Sequence, residues 1–172
     1  MAILLSPATA LREPFLEALV EYRADGVGYY GRLDPASVDD PDSFRAYVRT
    51  LLLDALPSTG RAPGQVAQTT LWWVEGRRVV GRLSIRHELN DWLFTTGGHV
   101  GYDVRPSERR KGHATAMLAA ALPFADALGV DPALVTCDHD NVGSRKVIEA
   151  NGGVPAAPTA AKLRFWVPTG PA

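Results

Sequence analysis

A mixed α/β fold, with helices packed on a sheet, is what this sequence predicts. Runs with a two-residue period alternate with segments whose apolar residues recur at helical spacing, and a hairpin pattern lies in the middle of the chain. At 172 residues the chain has the length of one average domain, able to bury about 70% of its unfolded surface. The one soft joint, Pro57 to Gly64, leaves neither flanking piece large enough for a comfortable core. It therefore reads as a loop inside a single domain spanning 1–172.

The elements follow in order. Ile3 to Leu5 is a short apolar run before Pro7, a candidate strand. Glu13-Pro14 opens a helix carrying Phe15, Leu16, Leu19, Val20 and Tyr22, stopped by Gly26. Asp40-Pro41 opens a second, with Asp as N-cap, Pro at the first turn, and Phe44, Tyr47, Val48, Leu51 and Leu52 as its apolar stripe. Thr70 to Glu75 and Arg77 to Arg86, joined at Gly76, read as a β-hairpin. Leu83 and Ile85 alternate there with Arg82, Ser84 and Arg86, the pattern of a half-buried strand, and Trp72-Trp73 places one indole in the core and one at the surface. His87 to Thr96 holds a short helical turn, and His99 to Val104 a strand with Val100, Tyr102 and Val104 on one face. A helix runs from Gly112 to Gly129, a strand from Ala133 to Cys137, a helix from Asn141 to Ala150 and a last strand from Lys162 to Val167.

Composition narrows the function. Eighteen Lys and Arg against nineteen Asp and Glu leave a net charge of -1, which excludes a dedicated nucleic-acid binder and an electrostatically anchored membrane protein. The single cysteine, Cys137, cannot form an internal disulfide. No stretch approaches the roughly 18 apolar residues of a spanning helix, and Met1 to Pro7 lacks the pattern of a secretory signal. The expected location is the cytoplasm.

The informative stretch is Val104-Arg-Pro-Ser-Glu-Arg-Arg-Lys-Gly-His-Ala-Thr115. A strand ends, three consecutive cations follow (Arg109, Arg110, Lys111), and a helix begins at Gly112. The first turn of a helix has free N–H groups and the positive end of the macrodipole, so it suits an anion. Gly112 permits close backbone approach, and small Ala114 leaves the next turn unobstructed. A di- or polyphosphate held mainly by backbone is the expected ligand; a solvated basic loop before an ordinary amphipathic helix is the alternative.

These residues resemble the GNAT superfamily of acyl-CoA-dependent N-acetyltransferases. Arg109, Gly112 and Ala114 fill that family's Q/R-x-x-G-x-G/A phosphate loop, and Asn141-Val-Gly-Ser144 matches its N-x-x-S/A element after the fifth strand. The order of elements agrees, and the stretch from Arg86 to Ser107 is similar to a subgroup of predicted acetyltransferases. The resemblance implies a central, mostly antiparallel, splayed sheet flanked by helices, with the CoA-binding core at about 69–153. It implies acetyl-CoA as co-substrate; no metal is expected. The pyrophosphate would lie on backbone N–H groups of Arg109, Arg110, Lys111, Gly112, His113, Ala114 and Thr115. The pantetheine arm would pair with the strand near Tyr102 to Val104, and Asn141 and Ser144 would meet it near the sulfur.

The implied reaction is direct attack of a primary amine on the thioester. An alkylamine with a pKa of about 10.4 must lose a proton, and the departing thiolate benefits from a donor. Many family members supply a tyrosine seven residues beyond the Asn; here that residue is Ile148. His99, at the head of a cleft-lining strand, is the substitute of choice, with a structural strand-cap as its alternative. Tyr102, Asp103, Asp138 and Cys137 lie near the same cleft; Cys137 reads as a buried small hydrophobe, or as half of a pair with His139.

The acceptor is expected to be a small-molecule or peptide amine. Asp25, Asp34, Asp39, Asp40 and Asp42, with Tyr29 and Tyr30, form an acidic segment that would attract a cationic amine; helix capping and a solvated loop explain it equally. The literal G-x-G-x-x-G at Gly26 to Gly31 follows a helix instead of a strand and is rejected as a dinucleotide fingerprint. The four histidines show no paired metal-ligand spacing. Rival readings are a non-catalytic acyl-CoA-binding module and a phosphate-binding protein unrelated to CoA. A monomer and a homodimer fit the sequence equally.

Overall fold

A seven-stranded sheet organises the chain, seen in a computed structural model that describes residues 1–26 and 28–170. In chain order the elements are β1 (Ala2–Leu5), α1 (Arg12–Asp25), α2 (Pro41–Leu53), β2 (Gln68–Glu75), β3 (Arg78–Arg86), β4 (Val100–Val104), α3 (His113–Ala127), β5 (Ala133–Cys137), α4 (Val142–Ala150), β6 (Val154–Ala156) and β7 (Leu163–Val167). The sheet order is β1-β2-β3-β4-β5-β7-β6. All neighbours are antiparallel except β4 and β5, which are parallel and in register only at Val100 and Val135. This is the mostly antiparallel, splayed sheet flanked by helices that the resemblance implied.

Local chemistry explains the helix ends. Asp40 caps α2, its Oδ1 accepting from Asp42 N (2.8 Å) and Ser43 N (3.0 Å), and Pro41 occupies the first turn. Hydrogen bonds from Ser43 and Asp42 hold the Asp40 carboxyl down at about 2. α1 buries Phe15, Ala18, Leu19 and Tyr22, while Val20, placed on the apolar stripe by spacing alone, stands 70% exposed.

The helices cover both sheet faces. α1 and α2 close one face over Trp72, Val74 and Val79, where Phe15 stacks on Trp72 with centroids 5.1 Å apart. α3 and α4 close the other over Trp73, Leu83, Ile85 and Val135. Two-sided cover corrects the half-buried reading of β3: Arg82 and Ser84 are buried too. It also corrects the tryptophan pair. Trp72 and Trp73 do point to opposite faces, but both are core residues, Trp73 lying under α3 with its Nε1 donating to His113 Nδ1 at 3.2 Å. Short β6 was not predicted as an element of its own; Val154-Pro-Ala156 is too short to show a period.

Trp72 Nε1 donates to Tyr30 Oη at 2.8 Å inside the α1–α2 core. Trp72→Phe removes that donor and part of the ring, and is expected to lower unfolding free energy by about 1–3 kcal/mol. Urea denaturation should show this as a reduced midpoint at an unchanged m-value.

Candidate active site

Strand register creates a slot. In an antiparallel pair, opposed residues alternate between exchanging both backbone hydrogen bonds and exchanging none. Arg86 N donates to His99 O (2.8 Å) and Arg105 N to Val80 O (2.8 Å), which marks Arg86–His99 and Val80–Arg105 as bonded pairs. The register between them makes Ser84–Gly101 and Arg82–Asp103 bonded pairs as well. The backbone groups of Val100, Tyr102 and Val104 therefore point the other way, towards β5. Because β5 meets β4 only at Val100, the edge formed by Tyr102 and Val104 faces a widening gap.

At the end of β4 the chain turns through Arg105–Lys111 into α3. Gly112, at φ 84°, begins that helix, and no side chain caps it, whereas Asp40 and Asn141 cap α2 and α4. The first α3 bond runs from Ala116 N to Gly112 O (3.1 Å), so the N–H groups of His113, Ala114 and Thr115 have no acceptor among the described residues. A Cβ on Gly112 would meet nothing within 4 Å, so the space before the helix end is open. Arg110, the residue ahead of this turn, holds φ 64°, strained for a side-chain-bearing residue.

Carboxylates fix the loop from behind. Asp25 takes both terminal nitrogens of Arg109 (3.0 and 2.8 Å), while Arg109 Nε donates to Val104 O (3.1 Å). One turn earlier on α1, Glu21 accepts from Arg105 Nε (2.7 Å), Ser107 N (3.0 Å) and Ser107 Oγ (3.1 Å). Buried Glu108 holds Arg78 (2.7 Å) and Lys111 (2.9 Å). Arg109 pulls the Asp25 carboxyl below its ordinary value. For Glu21, burial pushes upward, but the bonds from Ser107 and Arg105 outweigh it and the net shift is down.

Across the gap, Asn141 Oδ1 accepts from Ser144 N (2.9 Å) and caps α4. Ser144 Oγ lies 2.7 Å from Tyr102 Oη, joining β4 to the head of α4. Burial raises the Tyr102 hydroxyl to about 12, so it is a protonated donor at neutral pH. The opposite face of β4 is polar. Buried Arg82 pairs with Asp103 (3.3 Å) and lies 4.3 Å from the centre of the Tyr29 ring, and Asp103 Oδ2 also accepts from Tyr29 N (3.3 Å). Gly28 sits against that carboxylate: a Cβ there would come 2.4 Å from Asp103 Oδ1, and its φ is 79°.

Comparison with known proteins decides the family. Residues 8–154 match the family described as acetyltransferase (GNAT) domain. The chain belongs to the GNAT acetyltransferase family. As a GNAT protein it is an acyl-CoA-dependent transferase. No curated protein matches it in sequence. Among solved structures it is similar to the microcin C7 self-immunity acetyltransferase MccE, solved with acetyl-CoA and AMP (14% identity, TM-score 0.65, 96% of this chain and 90% of that one). It is also similar to Mycobacterium smegmatis RimJ, solved with CoA-disulfide (17% identity, TM-score 0.66, 96% and 80%). A third is Salmonella typhimurium yncA, a putative acetyltransferase solved with acetyl-CoA (15% identity, TM-score 0.57, 96% and 91%).

The GNAT loop residues Arg109 to Thr115 come together at the mouth of α3, with Tyr102, Val104, Asn141 and Ser144 along the slot. Within that set, Arg109 and Lys111 are turned to carboxylates and His113 to Trp73. His99 lies at the head of β4, where its N–H donates to Leu134 O (2.7 Å) and its Nδ1 accepts from Leu134 N (2.8 Å). Burial, with Arg86 nearby, lowers its ring to about 4. Ile148, near the C-terminal end of α4, is fully buried. Cys137 is buried, and His139 Nε2 meets Thr159 O (3.0 Å) instead of the thiol. In the acidic segment Asp25 serves the loop, Asp34 and Asp40 cap turns, Asp42 pairs with Arg45 and Asp39 is exposed, while Tyr30 is in the core and Tyr29 at the surface.

Glu21, Arg82 and Arg86 were not singled out by sequence. Glu21 and Asp25 at i, i+4 on one helix were the available signal, legible only once the loop is known to pack there. Depressed carboxyls contribute stability above the ordinary carboxylate range and lose it as pH falls through their lowered values. A Glu21→Gln/Asp25→Asn double variant is therefore expected to melt below wild type at neutral pH. In a Tm-versus-pH series the difference should stay constant above about pH 5 and close below about pH 4.

Proposed function

We propose that this protein transfers the acetyl group of acetyl-CoA to a primary amine by direct attack on the thioester. One observation carries the reading: an uncapped helix end with an open glycine cradle stands beside the free edge of a split sheet. The residues present fit CoA, since Gly112 leaves room where a larger side chain would intrude and the α3 N–H groups lack partners. Acetyl-CoA supplies the activated acyl group.

In this reading the backbone from Arg109 to Thr115 binds the diphosphate. Arg109 and Lys111 shape the loop through their carboxylate partners, and Arg110, which enters no ion pair among the described residues, adds direct charge. The edge at Tyr102 and Val104 orients the pantetheine arm by strand-like pairing. Asn141 and Ser144 meet the arm near its sulfur. The Tyr102 hydroxyl, held by Ser144, keeps its proton at neutral pH and delivers it to the departing sulfur, the work for which Ile148 has no group. His99 is neutral and weakly basic, with Nδ1 occupied by Leu134, so its part is to position the head of β4. The amine's proton leaves through water.

Purified protein with acetyl-CoA and a panel of amino acids, polyamines, aminoglycosides and lysine peptides is expected to release free thiol. CoA-dependent thermal stabilisation with no turnover on any amine would instead identify a binding module. Gly112→Val should weaken CoA binding by at least about tenfold, read by calorimetric titration. Tyr102→Phe should lower kcat by about a hundredfold while CoA affinity stays within about twofold.

A further inference from the structure

On the sheet face away from α3 and α4, β3 projects Arg82, Ser84 and Arg86 in turn, and the β4 residue opposite Arg82 is a carboxylate, Asp103. Arg82 uses that carboxylate and the Tyr29 ring. Arg86 has no carboxylate partner among the described residues. Its Nη1 donates to Gly97 O (2.9 Å) and Gly98 O (3.0 Å), and its Nε and Nη2 have no acceptor among the described residues. The guanidinium lies over Gly101, whose Cβ, if present, would be 3.6 Å from Nη2. It thus stands on the β4 residue next to Val100, where the slot begins to open.

Arg86 also lines a cleft of about 200 Å3 whose other walls include Gln68, Val66, Leu93 and Trp92. Trp92 is 61% exposed, an indole on the surface with no core to fill. The one acid in the cleft, Asp54, is paired with Arg61 at 3.4 Å. Burial and the charge of Arg82 both work against the charged form of Arg86. A half-buried guanidinium with unused donors gains most from a carboxylate, which accepts two parallel N–H bonds.

We infer that Arg86 receives a carboxylate of the acceptor, and that the acceptor is an amino-carboxylate whose apolar side group lies against Trp92, Leu93 and Val66. The inference rests on the acetyl-transfer reading, because it takes the slot beside Gly101 as the place where the amine reacts. It reverses the charge preference that the aspartates of the 25–42 segment suggest.

The test compares free leucine, methionine, phenylalanine and tryptophan with their carboxamides as acceptors for the acetyl-CoA-loaded protein. At least one free acid is expected to exceed its amide by about tenfold or more in kcat/KM. Arg86→Gln should bring that ratio towards one, and Arg86→Lys should restore part of it. CoA titration of each variant shows that the fold is intact. Amides matching or exceeding every acid, or an acid-to-amide ratio that survives Arg86→Gln, would overturn the inference and leave acetyl transfer standing. Equilibrium titration of the CoA-loaded protein with 3-phenylpropionate reads the subsite without turnover. Binding lost in Arg86→Gln supports the inference even if no amine reacts, and absence of binding to wild type counts against it.

Discussion

The anchoring of the Arg105–Lys111 loop by two carboxylates of α1 is the constraint on which the site depends. Three neighbouring cations at Arg109, Arg110 and Lys111 repel one another, and no hydrophobic side chain of that tripeptide can pin it. Asp25 and Glu21, one turn apart, grip it at Arg109 and at Arg105–Ser107, while Glu108 draws Lys111 inward. Individually, exposed ion pairs contribute little. Here the geometry is bidentate at Asp25 and three-bonded at Glu21, so several bonds share the entropic cost of ordering one short segment. The Arg109 and Lys111 side chains are drawn back to carboxylates, and the first N–H groups of α3 have no acceptor among the described residues. An anion at that helix end meets oriented dipoles whose positions are already fixed.

The second constraint is topological. A parallel neighbour at β4 would ordinarily satisfy the Tyr102 and Val104 backbone groups. The sheet instead parts after Val100–Val135 and leaves an edge with no strand neighbour, on which Arg109 Nε takes the Val104 carbonyl. His99 helps hold the parting point: its backbone N–H and ring Nδ1 both bond Leu134, which fastens the head of β4 to β5 just before the strands diverge. A histidine at the cleft thus resembles a catalytic base in sequence while its bonding is that of a clasp. Conversely, α4 carries Ile148 without a hydroxyl, whereas Tyr102 on the facing strand holds one against Ser144 at the head of that helix. In the proposed reaction the departing sulfur needs a proton donor, and the fold offers one from the β4 wall.

Much of this was legible in the residues. Helix caps at Asp40 and Asn141, the stop at Gly26, the hairpin at Gly76 and the Gly112 loop are local, and local chemistry declares them. Face assignment in β3 was also legible from alternation. Burial was not, because Arg82 and Ser84 look like solvent-facing residues until α1 and the Gly28–Tyr29 segment are laid over them. The same limit applies to the aspartates between 25 and 42. Their clustering in sequence suggested a shared acidic rim, yet Asp25 turns to a loop some eighty residues away and Asp40 to its own helix.

That dispersal changes what the net charge of -1 means. Several carboxylates cap turns or fasten the Arg105–Lys111 loop, and the face beneath the slot carries two guanidinium groups, Arg82 and Arg86, against one carboxylate, Asp103. Arg82 tolerates burial because Asp103, Ser84 and the Tyr29 and Tyr30 rings surround it, replacing much of the lost hydration. Arg86 has only two carbonyl oxygens on one nitrogen. A sheet face could have carried an apolar residue there at lower desolvation cost, as Leu83 and Ile85 do on the other side. A guanidinium kept half-dry and half-paired, over the one β4 residue without a side chain, keeps donors to spare for a carboxylate, which is the role inferred for the acceptor. On that inference the acceptor brings a negative charge within reach of the amine it offers to the thioester.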